Sequence, residues 1–156
     1  MTRLGLASMA ILGLASLLAP APVAAQDAGV TGAAEASFPN GAAFNGVPLK
    51  SLTLGQGMFI AQDGSATGQF QAVLQGTSPL GTPQDVTVEG EVGGGSVGAD
   101  GSATFSGTAT VDMGDGTLPL PGVSFAVTVS AGSLGLILNA VALPTATVTA
   151  GSITIK

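Results

Sequence analysis

The chain has 156 residues, a formal charge of −6, 25 glycines, and no cysteine, histidine, tryptophan or tyrosine. Without cysteine there are no disulfides, no thiol nucleophile, no thiolate metal site and no thiol for a lipid anchor. An acidic chain with three basic residues repels phosphate backbones, which argues against nucleic acid, and it offers no basic patch to anionic lipid.

At the N-terminus, Arg3 precedes an uncharged apolar run, Leu4–Ala19, followed by "PAPVAAQ" with small residues Val23 and Ala25. This order of a positive residue, an apolar stretch and a small-residue exit is that of a secretory signal. The run is shorter than the ~20 residues a bilayer-spanning helix needs. We expect a signal peptide over 1–25, cleaved after Ala25, and export of a bacterial protein to the periplasm, the cell surface or the medium. The mature chain then has no membrane span, and loss of Arg3 takes the formal charge from −6 to −7.

Residues 26–48 are rich in Ala, Gly, Asn and Pro with little periodicity. They are expected to form an arm, with one edge strand near Ala42–Val47. From Leu49 onward, short Val/Thr/Leu/Phe runs alternate with Gly, Pro and Asp-Gly, the texture of an all-β domain spanning 49–156. No stretch there keeps a helical period.

The pentapeptide Asp-Gly-Ser-Ala-Thr occurs at Asp63 and again at Asp100. Read as a two-residue hairpin turn, Asp63-Gly64 puts Phe59, Ala61, Ala66, Phe70, Ala72 and Leu74 on one face. Gln62, Ser65, Thr67, Gln69 and Gln71 take the other, and Met58, Ile60 and Val73 fit neither pattern. The same turn at Asp100-Gly101 sends Ala103, Phe105, Ala109 and Val111 inward and Ser102, Thr104, Ser106, Thr108 and Thr110 outward. The repeat is therefore expected to be one hairpin corner built twice.

Further along, "VTVEGEV" buries Val86, Val88 and Val92, and "GEVGGGSVG" (Gly90–Gly98) is expected to be a weakly paired edge capable of self-association. "TLPLPG" (Thr117–Gly122) must be a loop or an edge because of its prolines. "VSFAVTV" buries Val123, Phe125, Val127 and Val129. "LGLILNAVAL" (Leu134–Leu143), apolar at both parities, is expected to be covered on both faces. In "TATVTAGSITI" the apolar parity changes near Gly151, as a β-bulge would cause. Together these give a two-layer antiparallel β-sandwich of about seven or eight strands, preferred over a closed barrel. An outer-membrane barrel is disfavoured because its aromatic girdles would need more than six Phe.

The stretch Ala103–Ile155 resembles small Gly/Thr-rich β-domains of secreted bacterial proteins. In those, a strand like Ser106-Gly-Thr-Ala-Thr-Val111 precedes one like Phe125-Ala-Val-Thr-Val129, and the last strand reads like Gly151-Ser-Ile-Thr-Ile155. The acidic residue common after the second strand is Ser130 here. Such domains generally lack an assigned activity, so the resemblance implies fold and export and no particular chemistry.

Few residues can carry chemistry. Glu89 and Glu91 are spaced for one strand face, about 7 Å apart, a carboxylate pair in principle able to hydrolyse a glycoside. No Tyr, Trp or His accompanies them, and a solvated strand face explains them. Asp100, Asp112 and Asp115 could offer oxygens to Ca²⁺, or they could be turn residues bonding their own backbone. Thr108 and Thr110, and Thr145, Thr147 and Thr149, form hydroxyl rows suited to solvent-facing strands. Serines lack a histidine base, and a Ser–Lys pair has only Lys50 and Lys156 to draw on. The expectation is a non-enzymatic exported β-domain with a structural or interaction role and an unspecified protein or glycan partner. The alternative is a calcium-dependent carbohydrate- or matrix-binding module.

Overall fold

A computed structural model describes residues 27–156; the expected signal peptide, 1–25, lies outside the described residues. Ten strands follow in order. They are β1 (Ala28–Ser37), β2 (Ala43–Phe44), β3 (Val47–Ile60), β4 (Ser65–Thr77), β5 (Pro83–Val97), β6 (Ala103–Asp112), β7 (Leu120–Ser130), β8 (Ser133–Leu138), β9 (Val141–Ala142) and β10 (Ala146–Ile155). All pairings are antiparallel, so the all-β, sandwich-like expectation holds. The ladder has a further property: β1 bonds to β10 on one side and to β3 on the other. The path β1-β10-β8-β7-β6-β5-β4-β3 thereby returns to β1, and the two walls join at both edges. Closure of this kind removes most free edge among the described residues; the short β2 and β9 each pair on one side, and β10 meets β8 only through Ala146↔Leu134 and Thr147↔Ser133.

The arm expected over 26–48 is different in the structure. Ala28–Ser37 is a full strand whose Val30, Ala34 and Ala36 are buried. Alanine and glycine supply so little contrast in hydropathy that the alternation was hidden in the sequence. Beyond β1, Phe38, Ala42 and Phe44 turn in and plug the end of the fold opposite the repeated turns.

Alternation along the long strands builds the core. Leu52, Leu54, Met58 and Ile60 of β3 face Phe70, Ala72 and Leu74 of β4, Val86, Val88 and Val92 of β5, and Phe105, Ala109 and Val111 of β6. Phe70, Phe105 and Phe125 meet at the centre. Phe70 and Phe125 stack at 5.2 Å and 18°, and Phe105 tilts against both at 5.8 and 6.5 Å. Offset or tilted aromatic pairs contribute about 0.5–1.5 kcal/mol beyond their buried area. Room for the cluster comes from glycine: a Cβ on Gly90 would stand 2.6 Å from Phe125 Cε1, and one on Gly107 3.1 Å from it.

The repeated corner is a three-residue loop and not the two-residue one the sequence suggests. Ala61 N–H donates to the Ser65 carbonyl at 2.9 Å and Gly64 N–H to the Ala61 carbonyl at 3.0 Å; Gly98, Ser102 and Gly101 repeat this at 2.8 and 3.0 Å. Only the glycine is left-handed, with φ of 84° at Gly64 and 78° at Gly101, as in a type I turn closed by a left-handed residue. One extra loop residue shifts the register on β3, pairing Ile60 with Ala66 and Phe59 with Thr67. Phe59 is therefore 49% exposed, and Met58 and Ile60, which seemed misplaced, are core residues. Two-residue turns with both φ positive do occur, at Asn45-Gly46 (47° and 83°) and Asn139-Ala140 (47° and 63°).

Two more expectations change. Leu134, Leu136 and Leu138 of β8 are buried while Ile137 is 42% exposed, so this strand is covered on one face only. Its outward side meets solvent where β9 and β10 leave it partly uncovered. The Gly90–Gly98 segment is not an edge: β5 pairs with β4 and β6 there, and Gly93 is the residue skipped by both registers. Its glycines bend the strand. In β10 the skipped residue is Thr149, opposite Glu35/Ala36, two positions before Gly151, whose φ is 81°. The bulge is present and the parity change follows from it. Pro121 enters β7 ahead of Phe125, the first residue paired to β8, and so lacks a ladder partner on that side.

Candidate functional site

The aspartates considered for calcium are turn residues. Asp63 Oδ1 accepts from Ser65 N–H at 2.9 Å and Ser65 Oγ at 2.6 Å. Asp100 Oδ1 accepts likewise from Ser102 at 3.0 and 2.6 Å. Asp115 Oδ1 does the same with Thr117 at 2.9 and 2.6 Å. Asp112 Oδ1 accepts from Gly114 N–H at 2.9 Å. The hydroxyl of the residue two positions on, followed by its N–H, holds the carboxyls of Asp63, Asp100 and Asp115 below the usual carboxylate range.

Asp100, Asp112 and Asp115 are not brought together. Asp100 precedes β6 and Asp112 ends it, and at ~3.3 Å per residue the strand separates them by about 30 Å or more. Among the described residues no group of three His, Cys, Asp or Glu is placed to hold a metal ion. Asp100 is thus too far from Asp112 to share a cation with it. The Asp115-Gly-Thr turn repeats the side-chain bonding of the two Asp-Gly-Ser turns.

Glu89 and Glu91 point outward from β5. Across the sheet Glu91 lies between Gln69 and Thr108, and Glu89 between Gln71 and Thr110. Gln71 Nε2 donates to Glu89 Oε1 at 3.1 Å. The six side chains line an open depression of about 540 Å³. Both carboxylates are exposed to solvent. This polar outer face with an apolar interior is the inverse of a membrane barrel, which carries its apolar band outward. No helix among the described residues is long and apolar enough to cross a membrane.

Two features escaped sequence reading. Gln56, between Leu54 and Met58 on the inward side of β3, is 8% exposed, and neither its Oε1 nor its Nε2 has a hydrogen-bond partner among the described residues. Its parity with Leu52, Leu54, Met58 and Ile60 is the signal that could have found it, unlike the outward Gln69 and Gln71. The second lies at the end carrying the repeated turns. There Ala28, Ile60, Val97 and Ile155 with Asp27 and Lys156 border a cavity of about 670 Å³. A slot of about 480 Å³ adjoins it between β10 and the β7–β8 turn, sharing Gly101 and Ile155. Which strands leave such an opening is a matter of tertiary pairing. No family model, no curated protein and no solved structure matches this chain.

Proposed function

We propose that the chain is a non-enzymatic, exported bacterial β-domain with a structural or interaction role at the cell envelope or outside the cell. One observation carries the reading: Asp63, Asp100 and Asp115 are each engaged by their own turn, and Glu89 and Glu91 stand in water on an open face. Side chains with catalytic potential thus serve the scaffold or its solubility. Charge without cationic patches keeps such a domain soluble, and the leader-like start accounts for its export. A screen of the purified protein against glycan and matrix-protein arrays tests the reading. Binding without turnover supports it; release of a cleaved product from any array component overturns it.

A further inference from the structure

Among the described residues, the second half of β10 has a ladder partner on one side only. β8 reaches Ala146 and Thr147, Val148 N–H donates to the Gly132 carbonyl at 3.0 Å, and the wall then stops at the β7–β8 turn. β10 runs on to Ile155 against β1 alone. Gly29 and Lys156 exchange both backbone bonds, at 2.8 and 3.0 Å. In an antiparallel pair such bonding alternates, so Thr154 and Ser152 direct their backbone groups to β1. Ile155 and Ile153 direct theirs away from it, into the slot bordered by Val129–Gly132 and Gly101. From Val148 to Ile155 there is no charge and no proline, two devices by which proteins protect a free edge. The bulge at Thr149 and the left-handed Gly151 interrupt the edge below this stretch and leave Ser152–Ile155 continuous.

We propose that this edge is a strand-addition site that takes an extended, uncharged peptide segment of a partner protein along Ile153 and Ile155. The proposal rests on the interaction reading above and gives that interaction a surface and a chemistry. A row of N–H and C=O groups repeating at about 6.8 Å is matched by another extended backbone, with side-chain pockets adding selectivity. Ile153 and Ile155, partly buried against the core, provide the apolar floor for alternate side chains of the guest. A second copy of the fold is a poorer occupant. The edge is recessed beside the Ser130–Ser133 turn and Gly101, and another β10 would bring its own flanking turn into the same space.

The test uses the isotopically labelled purified protein and a capped hexapeptide of alternating threonine and valine, read by amide hydrogen exchange. Saturating peptide is expected to slow exchange at Ile153 and Ile155 by about tenfold, the equivalent of one net hydrogen bond, and to leave Ser152 and Thr154 unchanged. Ile153→Pro removes a donor that β1 does not use and should weaken peptide binding by a similar factor. Where that variant melts early, Ser152→Lys keeps the backbone bonds to β1 and guards the edge by charge, with the same expected loss. Unchanged exchange at these two amides, or peptide affinity retained in Ser152→Lys, overturns the proposal. So does concentration-dependent dimerisation that protects those amides without peptide. A glycan or matrix ligand held equally by wild type and Ser152→Lys overturns the edge alone and leaves the interaction reading standing.

Discussion

Gly90→Ala tests how closely the aromatic cluster is fitted. The added methyl would sit 2.6 Å from Phe125 Cε1, 3.1 Å from Cζ and 3.2 Å from Cδ1, whereas carbon atoms prefer about 3.5–4.0 Å. Phe125 must therefore retreat by roughly 1 Å. It is held by its stack on Phe70 at 5.2 Å and its edge contact with Phe105 at 6.5 Å, and the ring is 3% exposed. Overpacking of this kind costs ~1–3 kcal/mol, against a gain of ~0.4–1 kcal/mol from the reduced freedom of the unfolded chain. The net expectation is a loss of about 1–2 kcal/mol. Phe125→Leu frees the space but forfeits two ring contacts, so the double variant Gly90→Ala/Phe125→Leu should be more stable than the two single losses sum to, by about 1 kcal/mol. Urea unfolding followed by far-ultraviolet circular dichroism is the assay, since the chain has no Trp or Tyr for fluorescence. A Gly90→Ala protein as stable as wild type, or strict additivity in the cycle, would refute the argument.

Four other outcomes follow from the same structure. Gln56→Leu should raise stability by ~1–3 kcal/mol because it removes a buried amide without partners; a loss in denaturant unfolding would mean the amide is satisfied by ordered water. Ala140→Gly should gain roughly 1 kcal/mol, since Ala140 sits at a φ of 63° that costs a side chain ~1–2 kcal/mol; an unchanged melting midpoint counts against it. Phe59→Ser should shift stability by less than ~0.5 kcal/mol while Phe70→Ala costs ~3–5 kcal/mol, and comparable losses would contradict the three-residue register. The carboxyls of Asp63, Asp100 and Asp115 are depressed by their turn hydroxyls, so their contribution is present above the unfolded carboxylate value, about 3.9, and disappears as pH falls through the folded values. The triple Asp→Asn variant should accordingly show a flatter decline on acid titration than wild type.

Much of this architecture is written locally. Alternation in Val86–Val92, Ala103–Val111 and Val123–Val129 identifies three strands and their buried faces, because a half-buried strand has a period of two and each residue's hydropathy reports its side. The Asp-Gly-Ser corner is equally legible as a place, since glycine is needed where the chain turns left-handed. Its length is not: a two- or three-residue loop satisfies the same letters, and the difference reverses the parity of β3, moving Phe59 outside and Ile60 inside. β1 lacks the contrast that would announce it, so its role in closing the sheet depends on partners as remote as Ile60 and Ile155. The same is true of the free edge on β10. Sequence placed a weak edge in the glycines of Gly90–Gly98, where tertiary pairing instead covers both sides. Composition and alternation thus determine that the chain folds as antiparallel strands over an apolar interior. Which backbone groups remain unpaired is decided only by the global count of strands and registers, because a hydrogen-bonded ladder is satisfied or left open by neighbours that no local stretch encodes.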